Sequence, residues 1–205
     1  MRQTERFNSY SHLIGAVLSV AGLVLLVVIS SLQGNVWKIV STSIYGATLV
    51  ILYTISTLYH GVDGPAKAVL QRLDHCAIYL LIAGSYTPFA LVTLRGPWGW
   101  SLFGINWGLA LVGIIQELWI GKRTRLFSML IYLLMGWLAL IAIHPLMAAL
   151  PRAGMDWLAA GGILYTVGIV FFLFDGRVRH FHGIWHLFVL AGSACQFVSI
   201  FYYLQ

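Results

Sequence analysis

His182 and His186 stand four residues apart in "FHGIWHLF" (181–188), so on a helix both imidazoles share one face and can grip a single ion. His60 closes another apolar stretch in "STLYH" (56–60), with Ser56 one turn before it on the same face. Asp74 opens a third, in "LDHCAIYLL" (73–81). Three neutral imidazole nitrogens with a fourth position left open are the ligand set of catalytic zinc, at roughly 2.0–2.1 Å per bond. In that reading His60, His182 and His186 hold Zn2+. Asp74 orients or deprotonates water on the metal, whose pKa falls towards roughly 7, and Ser56 hydrogen-bonds that water or a developing oxyanion.

The elements that must position these groups are membrane helices. Of the 205 residues, 60% are hydrophobic and only 9% charged, against about 25% charged in a soluble domain. A hydrocarbon core of roughly 30 Å needs about 20 apolar residues per helix. Seven segments qualify: 13–32, 39–60, 74–94, 99–119, 126–148, 157–174 and 183–204. The expectation is an all-α integral membrane protein, a single seven-helix domain over 1–205. Breakers such as "GVDGP" (61–65), "LRGP" (94–97) and "LPRAG" (150–154) mark connections. Pro88 should kink the third span and free a backbone carbonyl. The first span lacks a clear small-x-small cleavage site and is read as retained. Cys76 and Cys195 sit in separate apolar segments and offer neither a disulfide framework nor a CxxC metal site. The net charge of +6 would suggest nucleic acid in a soluble protein; here its distribution among loops matters, and no nucleic-acid partner is expected.

Arg2, Arg6, Lys67, Arg72, Lys122, Arg123, Arg125, Arg177 and Arg179 fall on one side of such a bundle, and only Lys38, Arg95 and Arg152 on the other. The positive-inside rule then puts the N-terminus in the cytoplasm and the C-terminus outside. Trp37, Trp98, Trp100 and Trp157 would belt the outer interface, and Trp119 and Trp185 the inner one. His60, Ser56, Asp74, His182 and His186 come to one depth near the cytoplasmic face. Any one of them alone reads equally well as an interfacial side chain meeting headgroups; five at matching depth read as a site. His75 and Cys76 point off the Asp74 face, towards headgroups and into packing respectively. His180 belongs to a solvated loop and His144 to the outer end of span five. Glu117 pairs locally with Lys122 and Arg123. "GINWG" (104–108) suggests close helix packing. Asn8 and His12 either back the site through hydrogen bonds or anchor the first helix.

Four motifs carry a family resemblance: "NSYSHLIG" (8–15), "STLYH" (56–60), "LDHCAIYLLIAGSYTP" (73–88) and "FHGIWHLFVLAGS" (181–193). Taken in order over nearly the whole chain, they resemble the bacterial hemolysin III proteins. These form the prokaryotic arm of the progestin and adipoQ receptor (PAQR) family, which includes the adiponectin receptors. The resemblance implies seven helices with the N-terminus inside, and a zinc ion near the cytoplasmic face held at His60, His182 and His186. It also implies that Asp74 and Ser56 act around the metal-bound water. The long N-terminal extension of the eukaryotic receptors has no counterpart here, which weighs against a hormone-receptor role.

The first functional expectation is an intramembrane zinc hydrolase of lipid acyl amides or esters in the bacterial inner membrane, contributing to membrane-lipid homeostasis, with a membrane lipid or fatty-acyl substrate as its partner. The second is a non-catalytic sensor of membrane composition with a structural zinc clamping spans two, three and seven. A third is a hemolysin-like pore, which lacks polar residues continuing through the spans. Haem is a fourth, but two histidines on one helix face suit zinc better than bis-histidine iron.

Overall fold

A computed structural model of the protein describes residues 3–120 and 125–204, and local chemistry accounts for where its helices start and stop. α1 (Gln3–Leu32) gives way to a turn at Gly34, whose φ of 65° only glycine takes without strain. Asn35 then caps α2 (Val36–Gly61): its side-chain oxygen accepts the N–H groups of Trp37 and Lys38 at 3.1 and 3.2 Å. Pro65 leads into α3 (Ala66–Pro88), and Pro97 occupies the first turn of α4 (Pro97–Ile115), where its missing N–H costs nothing. The fifth span is broken into α5 (Arg125–Gly136), a 3-10 stretch (Leu138–Ala142) and α6 (Ile143–Ala149). α7 (Arg152–Phe174) and α8 (Phe181–Tyr203) complete the chain.

Among the described residues seven helices are long and apolar enough to cross a membrane: Glu5–Leu32, Val36–Gly61, Ala66–Thr93, Pro97–Trp119, Arg125–Ala149, Arg152–Phe174 and Phe181–Tyr203. The seven-span, all-α expectation is met, but several helices outrun their apolar segments. Hydropathy registers only the stretch in hydrocarbon, while backbone hydrogen bonding continues into the headgroup zone. Asp74 accordingly lies two turns inside α3 instead of opening it. Pro88 ends the regular part of α3, and the chain widens into a π-helical stretch, Phe89–Thr93, closed by the Leu94 N–H on the Phe89 carbonyl at 2.8 Å.

α1 packs on α2 and α8, α2 on α3, α3 on α4, and α7 on α8, while the fifth span leans more lightly on α3, α4 and α7. Ser193 of α8 is a polar node in this bundle: its hydroxyl meets the Tyr53 hydroxyl of α2 at 2.7 Å and the Tyr165 hydroxyl of α7 at 2.8 Å. Two sequence expectations change here. Trp185 is no interfacial belt residue; it is buried against Phe172 and His182, because its position on α8 turns it inward. Gly104 and Gly108 of "GINWG" have nothing within 4 Å of where a Cβ would stand, so this spacing serves no close packing inside the chain.

The close approach falls instead at Gly99, where a Cβ would overlap the Ala90 and Leu94 carbonyl oxygens. Backbone atoms cannot rotate aside, so Gly99→Ala is expected to destabilise the detergent-solubilised protein by about 1–3 kcal/mol. Gly104→Ala serves as the control in the same thermal unfolding measurement, with no loss expected.

Candidate metal centre

His60 ends α2, His182 and His186 begin α8, and α1 starts, α3 starts and α7 ends at that same end of the bundle. Helix geometry alone puts His182 and His186 on one face. α1, packed on both α2 and α8, brings His60 of α2 to them, and Gly183 permits the approach of α1 to α8, since a Cβ there would overlap the Phe7 ring. One nitrogen from each of His60, His182 and His186 lies within 4.8 Å of the other two. His60 and His186 are buried and His182 is partly so.

Each of the three rings is held from its Nδ1 side. His60 Nδ1 lies 2.5 Å from Glu5 Oε2 of α1, and His182 Nδ1 lies 2.6 Å from Asp175 Oδ2 just beyond α7. His186 Nδ1 lies 3.2 Å from both the Asn8 carbonyl and the Ser11 hydroxyl. A carboxylate or carbonyl beside Nδ1 accepts a hydrogen bond from Nδ1–H, which fixes that tautomer and leaves the Nε2 lone pair free, the arrangement common behind metal-bound histidines. His60 and His182 then present Nε2 to Nε2 at 3.2 Å, lone pair against lone pair unless a cation stands between them. His186 Nε2 is buried with no hydrogen-bond partner among the described residues. A buried acceptor of this kind is costly to leave unpaired. The donor set fits a divalent metal ion, which these three histidines can hold.

The outer partners extend one step further. Asp175 Oδ2 also pairs with an Arg125 guanidinium nitrogen at 2.7 Å, and that guanidinium donates to the Phe172 carbonyl and covers the Phe172 ring. Burial alone would raise the Asp175 carboxyl, but hydrogen bonds from His182 and Arg125, with the guanidinium charge, hold it down at about 2. It is a carboxylate at neutral pH, as a histidine-orienting group must be. Replacing it with amide in Asp175→Asn is expected to weaken metal binding by about 10–100-fold, read by titration against a chromogenic chelator. Unchanged affinity would remove Asp175 from the centre.

Asp74 is buried on α3, and the Ser56 hydroxyl of α2 stands beside its carboxyl without full hydrogen-bonding geometry. Two cavities meet there. One, of about 530 Å³, is lined by polar groups that include Asp74, His182, Asp175, Gln71, Arg72 and Arg125. The other is a narrower, mainly apolar chamber of about 120 Å³, running from His12 and Asp74 past Leu52, Ile78 and Val189 to Tyr86 and Gln196. Asp74, Tyr132 and Phe172 line both.

All five residues singled out in the sequence therefore come to one end of the bundle, with the histidines in mutual reach and Asp74 and Ser56 alongside. His75 does not face headgroups as expected; its Nδ1 lies 2.7 Å from Glu117 Oε1, pairing α3 with the end of the fourth span. Glu117 thus has a partner other than the expected Lys122 and Arg123, which lie outside the described residues. Asn8 does back the site, through its carbonyl, whereas His12 stacks on His186. Cys76 and Cys195 are buried free thiols, and His144 and His180 are exposed. Sequence reasoning missed Glu5, Ser11, Asp175 and Arg125. One sequence signal bears on Glu5 and Asp175, the scarcity of acidic residues (six in the chain); in the structure Glu5, Glu117 and Asp175 each sit against a histidine, and nothing in the sequence marks Ser11 or Arg125.

Fold and site together define a multi-pass seven-helix membrane protein with a buried three-histidine cluster near one end. The model of the haemolysin-III related family matches residues 1–197, and the chain belongs to that family. It is 46% identical over 200 residues to Hemolysin-3 of Bacillus cereus, covering 97% of this chain and 91% of the relative. It is 45% identical over 200 residues to a Hemolysin-3 homolog of Bacillus subtilis (strain 168), covering 97% and 93%. At 30% identity over 204 residues it also resembles the human monocyte to macrophage differentiation factor, covering 96% and 83%.

Proposed function

We propose that the protein is a zinc-dependent intramembrane hydrolase acting on the acyl amide or ester of a membrane lipid, and contributing to lipid homeostasis in the bacterial inner membrane. The observation that carries this reading is Asp74, which lines both the mainly apolar chamber and the polar cavity that His182 of the histidine cluster also lines. A lipid has that same division, with its carbonyl at the boundary.

His60, His182 and His186 would hold the ion, with Glu5, Asp175 and the Asn8 carbonyl fixing the ring orientations. Bound zinc supplies Lewis-acid polarisation of the carbonyl and a nucleophile from water near neutral pH. Asp74 is placed to take the proton of the attacking water on a carboxylate oxygen and pass it to the leaving group. Ser56, beside it, would donate a hydrogen bond to the carboxylate or the developing oxyanion as charge forms there. The apolar chamber takes the first carbons of the tail beside the carbonyl and excludes bulk water, which strengthens every electrostatic contact at the boundary. The distribution of Lys and Arg supports a cytoplasmic N-terminus, with the site on the inner-leaflet side.

A second reading, a sensor of membrane composition with a structural metal, is favoured by how many elements the cluster ties together. Its ligands and their partners come from α1, α2, α8 and the segment after α7. A pore, which the relatives' name Hemolysin-3 raises, has less support, because the chamber beyond Asp74 is mainly apolar. Release of free fatty acid from a panel of lipid amides and esters by the purified, metal-loaded protein tests the main reading. No turnover across the panel would remove it.

A further inference from the structure

His12 is a buried ionisable group beside the cluster that the proposed chemistry leaves unused. Its side chain is 1% exposed, and neither ring nitrogen has a hydrogen-bond partner among the described residues. The backbone carbonyl of His186 lies near the ring but outside hydrogen-bonding geometry. One face of the imidazole is covered by the His186 ring, stacked at 3.6 Å with the planes 8° apart, and Tyr53 meets it edge-on at 5.0 Å. Its nitrogens can act only in the ring plane, and the ring lines the apolar chamber at the end it shares with Asp74.

A neutral imidazole carries one N–H and one lone pair. Burying that N–H without an acceptor is costly, and the cost disappears when a ligand brings an acceptor with it. The hydrocarbon of an acyl chain has none, but the carbonyl at its head does. With the tail in the chamber, the chamber's Asp74 end is where that carbonyl arrives.

Resting on the hydrolase reading, we infer that His12 is a substrate-binding residue, donating its ring N–H to the carbonyl oxygen of the acyl group seated in the chamber. It is not a fourth metal ligand: its face, not its edge, meets His186. It selects acyl chains that end in a carbonyl over plain hydrocarbon, and holds the carbonyl beside the cluster.

The test uses two radiolabelled probes that cannot be hydrolysed and are short enough for a chamber of about 120 Å³, pentan-2-one and pentane, bound to the purified full-length protein in detergent. The readout is the ratio of the two affinities within one protein, with metal content measured alongside. Wild type is expected to favour the ketone by about tenfold, the ordinary worth of one well-placed hydrogen bond to a buried group. His12→Phe keeps a stacking ring but has no N–H; it is expected to lose that preference while retaining pentane affinity and metal. His12→Gln, which regains a donor, is expected to recover part of it. Where His12→Phe does not fold, His12→Ala replaces it, since the ratio needs no comparison of absolute affinities. An unchanged ratio in the variant, loss of metal with it, or no ketone preference in wild type would overturn the assignment. Wild type that takes up neither probe would instead bring down the lipid reading itself.

Discussion

Purified His186→Ala is expected to bind metal at least about a hundredfold more weakly than wild type. A structural zinc site contributes roughly 10–16 kcal/mol, so losing one ligand of three or four removes about 3 kcal/mol or more, or two decades in affinity. The loss should be severe here because His186 is 0% exposed and its Nε2 has no other partner among the described residues. Elemental analysis of protein purified after growth with ample zinc measures this directly, and also reports which metal is bound. His144→Ala is the control, because that imidazole is exposed near the opposite end of the bundle. His186→Gln, closer in volume, covers the case in which alanine leaves a cavity the helix pair cannot tolerate. An unaltered stoichiometry in both variants would end the assignment of this histidine as a ligand.

Asp74→Asn should have an effect of similar size with the opposite partition: metal retained, turnover reduced by about 10²–10⁴-fold. The substitution preserves shape and can still meet Ser56, but an amide accepts no proton from water. Asp74 is buried and makes none of the close contacts that hold the three rings, so the cluster should survive it. Fatty-acid release and metal content, measured on the same preparation, separate the two proposed roles. A variant that keeps both metal and the cellular response to altered lipid composition would favour the sensor. If that response disappears while fold and metal persist, the sensor reading weakens.

The cluster is legible in the sequence because its side chains follow helix periodicity. His182 and His186 share a face through their spacing, and Ser56 and His60 do so for the same reason. The depth of each follows from counting residues along apolar stretches. Asp74 falls at the right level even though its helix starts two turns earlier than hydropathy indicates, since the apolar boundary, not the helix boundary, sets depth.

The chain by itself determined seven spans, the grouping of five polar residues towards one end and the pairing of histidines one turn apart, because each depends on period and composition along one helix. The tertiary structure alone decided the partners. Glu5 meets His60 across 55 positions and His75 meets Glu117 across 42. Asp175 reaches His182 only because the turn after α7 folds back on α8. The inward rotation of Trp185 and the bare face of Gly104 and Gly108 are of the same kind. Inside a bilayer every span is apolar nearly all round, so hydropathy reports how deep a residue lies but not which way it faces. Facing is set by the neighbours each helix packs against, and that information enters only when the bundle closes.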